Sequence, residues 1–234
     1  IIPDSGSENT LTVGGTGDSV VVLDSLNVNS LQDAGGNNIF VSNGSGTITS
    51  KNSGVSGGMN LISTQTASGS ASISFTSGLD STYDVYIFSM INLQPATDGQ
   101  YLQFDVSTDG GSTWGLNTMT SFFVAAHSET GSTTFEYTAD RDTTNAYPAK
   151  ITSEMGNGSD EAGAVTFHLF APSSTTYVKH FYSTSQIYQS SNYSHQDFVG
   201  GYVNSTSDVD AIKFYYTSGN IAVGTFKLYG ISKS

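Results

Sequence analysis

The sequence predicts an all-β chain: a jelly-roll-like antiparallel β-sandwich preceded by a short β-rich N-terminal stem or arm. Three observations point there. Large apolar residues recur with period two through most of the chain, as on strands with one buried face. Helical periodicity is almost absent. Turn-forming residues are dense, with 26 glycines in 234 residues, above the usual ~7%.

Composition narrows the function. Charged residues make up 12% of the chain, yet the net charge is −13, from 7 basic and 20 acidic side chains. Such a surface repels phosphate backbones, so no nucleic-acid partner is expected. Cysteine is absent, so disulfides and thiolate metal sites are excluded. No apolar run approaches the ~18 residues of a membrane-spanning helix, and no membrane partner is expected. The chain opens on Ile1, as a processed chain or part of a longer one would.

Residues 1–57 differ from the rest. Short apolar pulses (Leu11 and Val13, 20–23, 26–31, 39–41, Ile48) alternate with Gly/Asn-rich turns such as 33–38 and 43–46. So few large side chains cannot offset a backbone entropy of roughly 1–2 kcal/mol per residue. Other copies, or a docking surface, would supply the missing partner area; a β-arm folded on its own domain, or a partly disordered leader, is the alternative. The sequence predicts a stem or attachment segment over 1–57 and a sandwich over 58–234, with Lys51–Gly58 as the joint.

From Met59 onward the strands lengthen. Ala71, Ile73 and Phe75 form a half-exposed strand. Residues 83–93 are apolar on both faces and read as a central strand. Leu102, Phe104 and Val106 alternate, and strands follow at 119–126 and 134–138. Residues 140–160 are polar and read as a long excursion. The strongest signal is 164–184, two strands joined by a turn at Pro172. Further strands are predicted at 196–203, with a bulge at Gly200-Gly201, and at 209–216 and 221–231, the last two joined by a hairpin turn at Ser218-Gly219-Asn220.

Candidate chemistry is sparse. Ser107-Thr108-Asp109-Gly110-Gly111-Ser112-Thr113-Trp114 resembles the Asp-box of sialidases and other β-propeller glycosidases, a structural hairpin in those families. A propeller needs several boxes and one is present. Sialidases also need an arginine cluster, and Arg141 is the sole arginine. Ser107, Asp109, Gly111, Thr113 and Trp114 are therefore expected to build a structural turn. His168 and His180 lie on neighbouring strands and could meet, but no metal-ligand spacing accompanies them. The acidic pairs, Asp140/Asp142 and Asp208/Asp210 among them, read as turn residues, with a loop calcium site as the functional alternative. No catalytic residue, cofactor or metal is expected, and the chain is not expected to be an enzyme. The stretch Tyr188-Gln189-Ser190-Ser191-Asn192-Tyr193 has the aromatic and amide character of recognition loops. Tyr188, Tyr193, Asn192 and Gln189 are the expected glycan-binding residues.

Three stretches resemble structural appendage proteins of tailed bacteriophages, of the marine type: HLFAPSSTTYVKHFYS (168–183), SASISFTSGLDSTYDVYIF (70–88) and IKFYYTSGNIAVGTFKLYGIS (212–232). The segment LQDAGGNNIFVSNGSGTITS (31–50) is similar to repetitive fibre stems. The resemblance implies a virion protein on capsid or tail, often trimeric, joined to other virion proteins through residues 1–57 and contacting host surface glycans. Adsorption to the host is its expected purpose. A capsid decoration protein without receptor binding, a secreted carbohydrate-binding module or adhesin, and an inter-subunit glycan depolymerase are the alternatives.

Overall fold

The computed structural model describes residues 30–32, 35–45, 48–51 and 58–233. The chain divides into two units, 1–56 and 57–234. In the first, β1 (Ser30–Gln32), β2 (Asn38–Ser42) and β3 (Ile48–Lys51) form an antiparallel sheet in that order. Gly36 and Gly44, at φ of 79° and 77°, make its turns. Leu31 and Ile48 are exposed. The rest of the predicted stem, residues 1–29, 33–34 and 46–47, and the joint at 52–57 lie outside the described residues.

The second unit is built around eight strands. These are β4 (Met59–Ser70), β5 (Ile73–Phe75), β6 (Val85–Pro95), β7 (Gln100–Ser107), β11 (Ala149–Met155), β12 (Gly163–Phe170), β15 (Ala211–Tyr216) and β16 (Ile221–Ile231). One sheet runs β4-β16-β6-β12 and the other β5-β15-β7-β11, all antiparallel. Successive strands mostly change sheet, which is the double-sheet jelly-roll arrangement. The remaining strands are inserted. Between β7 and β11 lie β8 (Thr118–Ser128), β9 (Thr133–Tyr137) and β10 (Thr144–Ala146); between β12 and β15 lie β13 (Lys179–Gln189) and β14 (Tyr193–Val203). They widen the first sheet as β12-β13-β14-β8, and β8 carries β9 and β10. A single pair, Met155↔Gln189, joins β13 back to β11.

Alternation decides which side chains fill the sandwich. Phe167 sits at its centre, 4.8 Å from Phe104, 5.3 Å from Phe181, 5.8 Å from Phe214 and 6.0 Å from Phe88, ring centre to ring centre. Edge-on contacts dominate this cluster, as the aromatic quadrupole favours. The inward face of β13 also carries Lys179, fully buried. Its Nζ donates to the carbonyls of Ser174, Tyr177 and Ser205 at 2.5, 3.0 and 3.3 Å.

Four expectations need correction. The Ser218–Asn220 turn crosses between sheets, because β15 and β16 are not paired. Residues 140–160 contain β11, a buried strand; Thr152 and Ser153 occupy interior positions there and disguise it. Gly200 and Gly201 form no bulge, since β14 keeps unbroken register with both β13 and β8. A Cβ on Gly201 would lie 2.0 Å from the Met119 carbonyl oxygen, so close backbone approach explains the glycine. His168 and His180 do not meet. Register sets His168 opposite Tyr182, stacked at 4.3 Å, and His180 opposite Tyr202.

Register also defines two poles. Met59, Ile231, Val85 and Phe170 lie side by side at one end of the widened sheet. Lys179, Val203 and Thr118 continue that end. At the other end lie Ser70, Ile221 and Pro95, then Gly163, and finally the Gln189↔Tyr193↔Ser128 row.

Candidate functional site

The predicted recognition loop is a tight hairpin at the second pole. Only Ser190, Ser191 and Asn192 lie between the strands. Asn192 adopts a left-handed φ of 64°, which asparagine tolerates. The turn closes through Asn192 N–H to the Gln189 carbonyl at 3.0 Å and Ser191 N–H to Gln189 Oε1 at 2.8 Å. Tyr188 and Tyr193 are therefore strand residues, and alternation sends them to opposite faces. The stretch 188–193 is thus two strand ends and a three-residue turn, not a loop throughout. Gln189 is buried and reaches inward, its Nε2 3.3 Å from Glu154 Oε2 on β11.

Two concavities flank the hairpin. The outer one, about 300 Å³, brings together Tyr188, Asn192 and Tyr193 with Glu129, Gln186 and Ser194. The Tyr188 hydroxyl donates to Glu129 Oε1 at 2.7 Å, and Gln186 Nε2 donates to Ser194 Oγ at 2.8 Å. The Glu129 bond, with the charge it brings, pushes the Tyr188 hydroxyl up to about 12. The inner concavity, about 400 Å³, takes Gln189 and Tyr193 together with His195, Ser191 and Glu136. Of the four predicted glycan residues, three line the outer cleft and Gln189 lines the inner one; Tyr193 borders both.

Behind the inner concavity lies a buried polar cluster that sequence reasoning missed. Asp197 is fully buried. Its Oδ2 accepts from Ser153 N–H and Ser185 Oγ, both at 2.7 Å, and its Oδ1 accepts from Ser153 Oγ at 2.5 Å. Arg141 Nη1 donates to Ser153 Oγ at 2.6 Å. Tyr101 donates to Glu154 Oε1 at 2.7 Å. Burial holds the His195 imidazole below its ordinary range, against the opposing pull of the Asp197 charge. The signal was present: Ser183, Ser185, His195 and Asp197 share the inward phase of β13 and β14. A buried row that polar calls for internal partners, which Ser185 and Asp197 find in each other, whereas Ser183 Oγ and His195 Nδ1 have no protein partner among the described residues.

The Asp-box-like turn lies at the far end of β7, away from the hairpin. Asp109 Oδ1 accepts from Ser107 Oγ and from Thr113 N–H, both at 2.7 Å. Ser107 Oγ accepts from Gly111 N–H at 3.0 Å. These donors, Ser107 first, pull the Asp109 carboxyl down to about 2. Gly111 has a φ of 85° and a Cβ there would strike Thr76 and Trp114. Lys213 Nζ lies 4.6 Å from the Trp114 ring centre.

Other carboxylates are engaged locally. Asp80 accepts from Thr82 N–H, Asp84 pairs with Lys233, Asp142 accepts from the Tyr137 hydroxyl and Asp210 from Gly110 N–H. Among the described residues, no group of three His, Asp or Glu could hold a metal ion.

No family model, curated protein or solved structure matches the chain.

Proposed function

We propose that this protein is a non-enzymatic structural component of a virion of the tailed-bacteriophage type. It forms a capsid or tail appendage whose purpose is adsorption to the host surface. The observation that carries this reading is polarity. The jelly-roll body receives its chain at Met59 on one pole and carries the hairpin and its two concavities at the other. The eleven residues of β13, at about 3.3 Å each, put roughly 35 Å between the two. A body held through residues 1–57 would display the hairpin outward. The jelly roll is an architecture of viral capsid and lectin domains alike, which suits a part that both builds and binds. The resemblance of 70–88, 168–183 and 212–232 to phage appendages supports the same assignment. Self-association, as a trimer, would cover apolar side chains of the first unit such as Leu31 and Ile48.

The test is a cryo-electron-microscopy map of the intact particle. The body should appear on capsid or tail with the hairpin pole facing solvent. A hairpin pole buried against the shell would remove adsorption and leave a decoration protein. Absence of the chain from the particle would end the virion reading.

A further inference from the structure

We infer that the outer cleft at the hairpin pole is a subsite for a neutral, hydroxyl-rich ring, a saccharide unit without carboxylate or sulfate, and that its acidic rim turns anionic saccharides away. The inference deepens the adsorption reading and rests on it only for the ligand's source, a host surface glycan.

The cleft is at the lower end of the size range of small-ligand pockets, roughly 300–1,000 Å³. Its chemistry is mixed in a specific way. Tyr188, on the outward face, gives ring surface that is apolar yet tolerant of water, suited to the C–H face of a pyranose; the Tyr193 ring leans on His195 at the inner face and only borders the cleft. Hydrogen bonds already made inside the cleft fix what remains for a ligand. Tyr188 occupies Glu129 Oε1, leaving Oε2 as an acceptor. Gln186 Nε2 is spent on Ser194 Oγ, leaving Gln186 Oε1 as an acceptor and the Ser194 hydroxyl proton as a donor. Asn192 Oδ1 lies 3.4 Å from the Tyr188 hydroxyl, leaving the Asn192 amide protons as donors. Acceptors and donors thus stand side by side. A sugar hydroxyl both donates and accepts, so it can satisfy such a rim; a carboxylate or sulfate only accepts.

Charge acts in the same direction. Glu129, Asp160 and Glu161 all impose negative potential at the Tyr188 hydroxyl. Among the described residues, no lysine or arginine lines the cleft, and the chain as a whole carries −13. An anionic saccharide approaching this cleft, whose lining also includes His127, meets like charge from Glu129, Asp160 and Glu161. The preference should be strongest at low ionic strength, because exposed charges are screened beyond roughly 10 Å at 0.1 M salt.

The experiment uses the whole 234-residue chain, isotope-labelled, followed by amide NMR shifts at low salt. The neutral probes are tetrasaccharides of glucose, mannose and galactose. The anionic probes are oligogalacturonate and a sulfated galactan tetrasaccharide. At least one neutral probe should shift amides in 127–129 and 186–194, with an affinity at least tenfold above that of either anionic probe. Glu129→Gln, which keeps the shape of the side chain, should narrow that gap at least threefold; an unchanged gap would overturn the electrostatic part. Binding by none of the neutral probes, tighter binding of an anionic probe, or shifts confined to another face would each overturn the subsite. The particle map separates this from the appendage reading. A chain found on the virion that binds no neutral sugar loses only the subsite. A chain that binds neutral sugar but is absent from the virion keeps the subsite and loses the appendage.

Discussion

The eight jelly-roll strands and the five inserted ones fill their interiors with different chemistry. The jelly roll packs Phe88, Phe104, Phe167, Phe214 and Phe226 against one another, all essentially without exposure. The inner face of β13 and β14 mixes Phe181, Ile187, Val199 and Val203 with Ser183, Ser185, His195 and Asp197, also buried. Apolar packing is strong but largely non-directional, so it holds two sheets together without fixing fine position. The Asp197 bonds to Ser153 and Ser185 are directional. They register the inserted strands against β11, and so they set where the hairpin and its clefts stand relative to the body. Stability resides mainly in the first region and placement in the second.

That contrast can be broken by substitution. The largest effect should come from Phe167→Ala, at about 3–5 kcal/mol for a ring at the centre of the aromatic cluster. Denaturant titration should show the whole second unit losing stability in one transition. If only β12 and its neighbours loosened, the jelly roll would not be one cooperative core.

Asp197→Asn should cost about 2–4 kcal/mol, since an amide presents donors to three donors that now point at a carboxylate. Its signature is local. Amide exchange should accelerate in β11, β13 and β14 while β6 and β16 remain protected. Uniform acceleration would mean that the polar cluster supports the body as much as the aromatic one does.

Two adjacent glycines probe the inserted strands at one point. Gly201→Ala drives a methyl group into the Met119 backbone and should destabilise by about 1–3 kcal/mol, as overpacking does. Gly200→Ala meets nothing within 4 Å and should stay within about 0.5 kcal/mol of the parent. Equal midpoints in urea for the two variants would show that β8 and β14 are free to separate.

The smallest effect belongs to the Asp109 turn on the body. Its carboxyl falls to about 2 in the folded chain, against an ordinary value of about 3.9. A depressed pKa contributes stability above the ordinary value and loses it as pH falls through the folded one. The parent should therefore shed a little stability between pH about 4 and about 2, and Asp109→Asn should not share that particular loss. Parallel acid-melting curves for the two would remove the turn's role.

Much of this fold was legible because alternation reports faces faithfully. Phe167 and Leu169, and Ile212, Phe214 and Tyr216, point inward as their spacing required. Alternation is silent about which sheet a strand joins. Ile212 and Phe226 look alike in sequence, yet they sit in facing sheets. The Ser218–Asn220 turn therefore read as a hairpin when it is a crossover. β11 was hidden for a related reason: Thr152 and Ser153 look like surface residues until Leu102 N–H and Asp197 are found to be their partners. At the candidate site, the aromatic and amide residues near 190 stood out by composition. Glu129 did not, because it comes to Tyr188 across 59 positions of chain.

The placement of Met59 beside Ile231 also has a mechanical side. An appendage gripped at Met59 and tugged at the hairpin pole is loaded along its strands. β4 lies at the edge of its sheet, held by β16 in register from Met59↔Ile231 to Ile221↔Ser70. Antiparallel ladder bonds stand perpendicular to the strands. Tension applied this way shears the β4 ladder along its length, loading many bonds together, whereas a pull across the sheet would peel them one after another. In the appendage we propose, this geometry would make β4 a tether that resists drag along one axis and yields along the other.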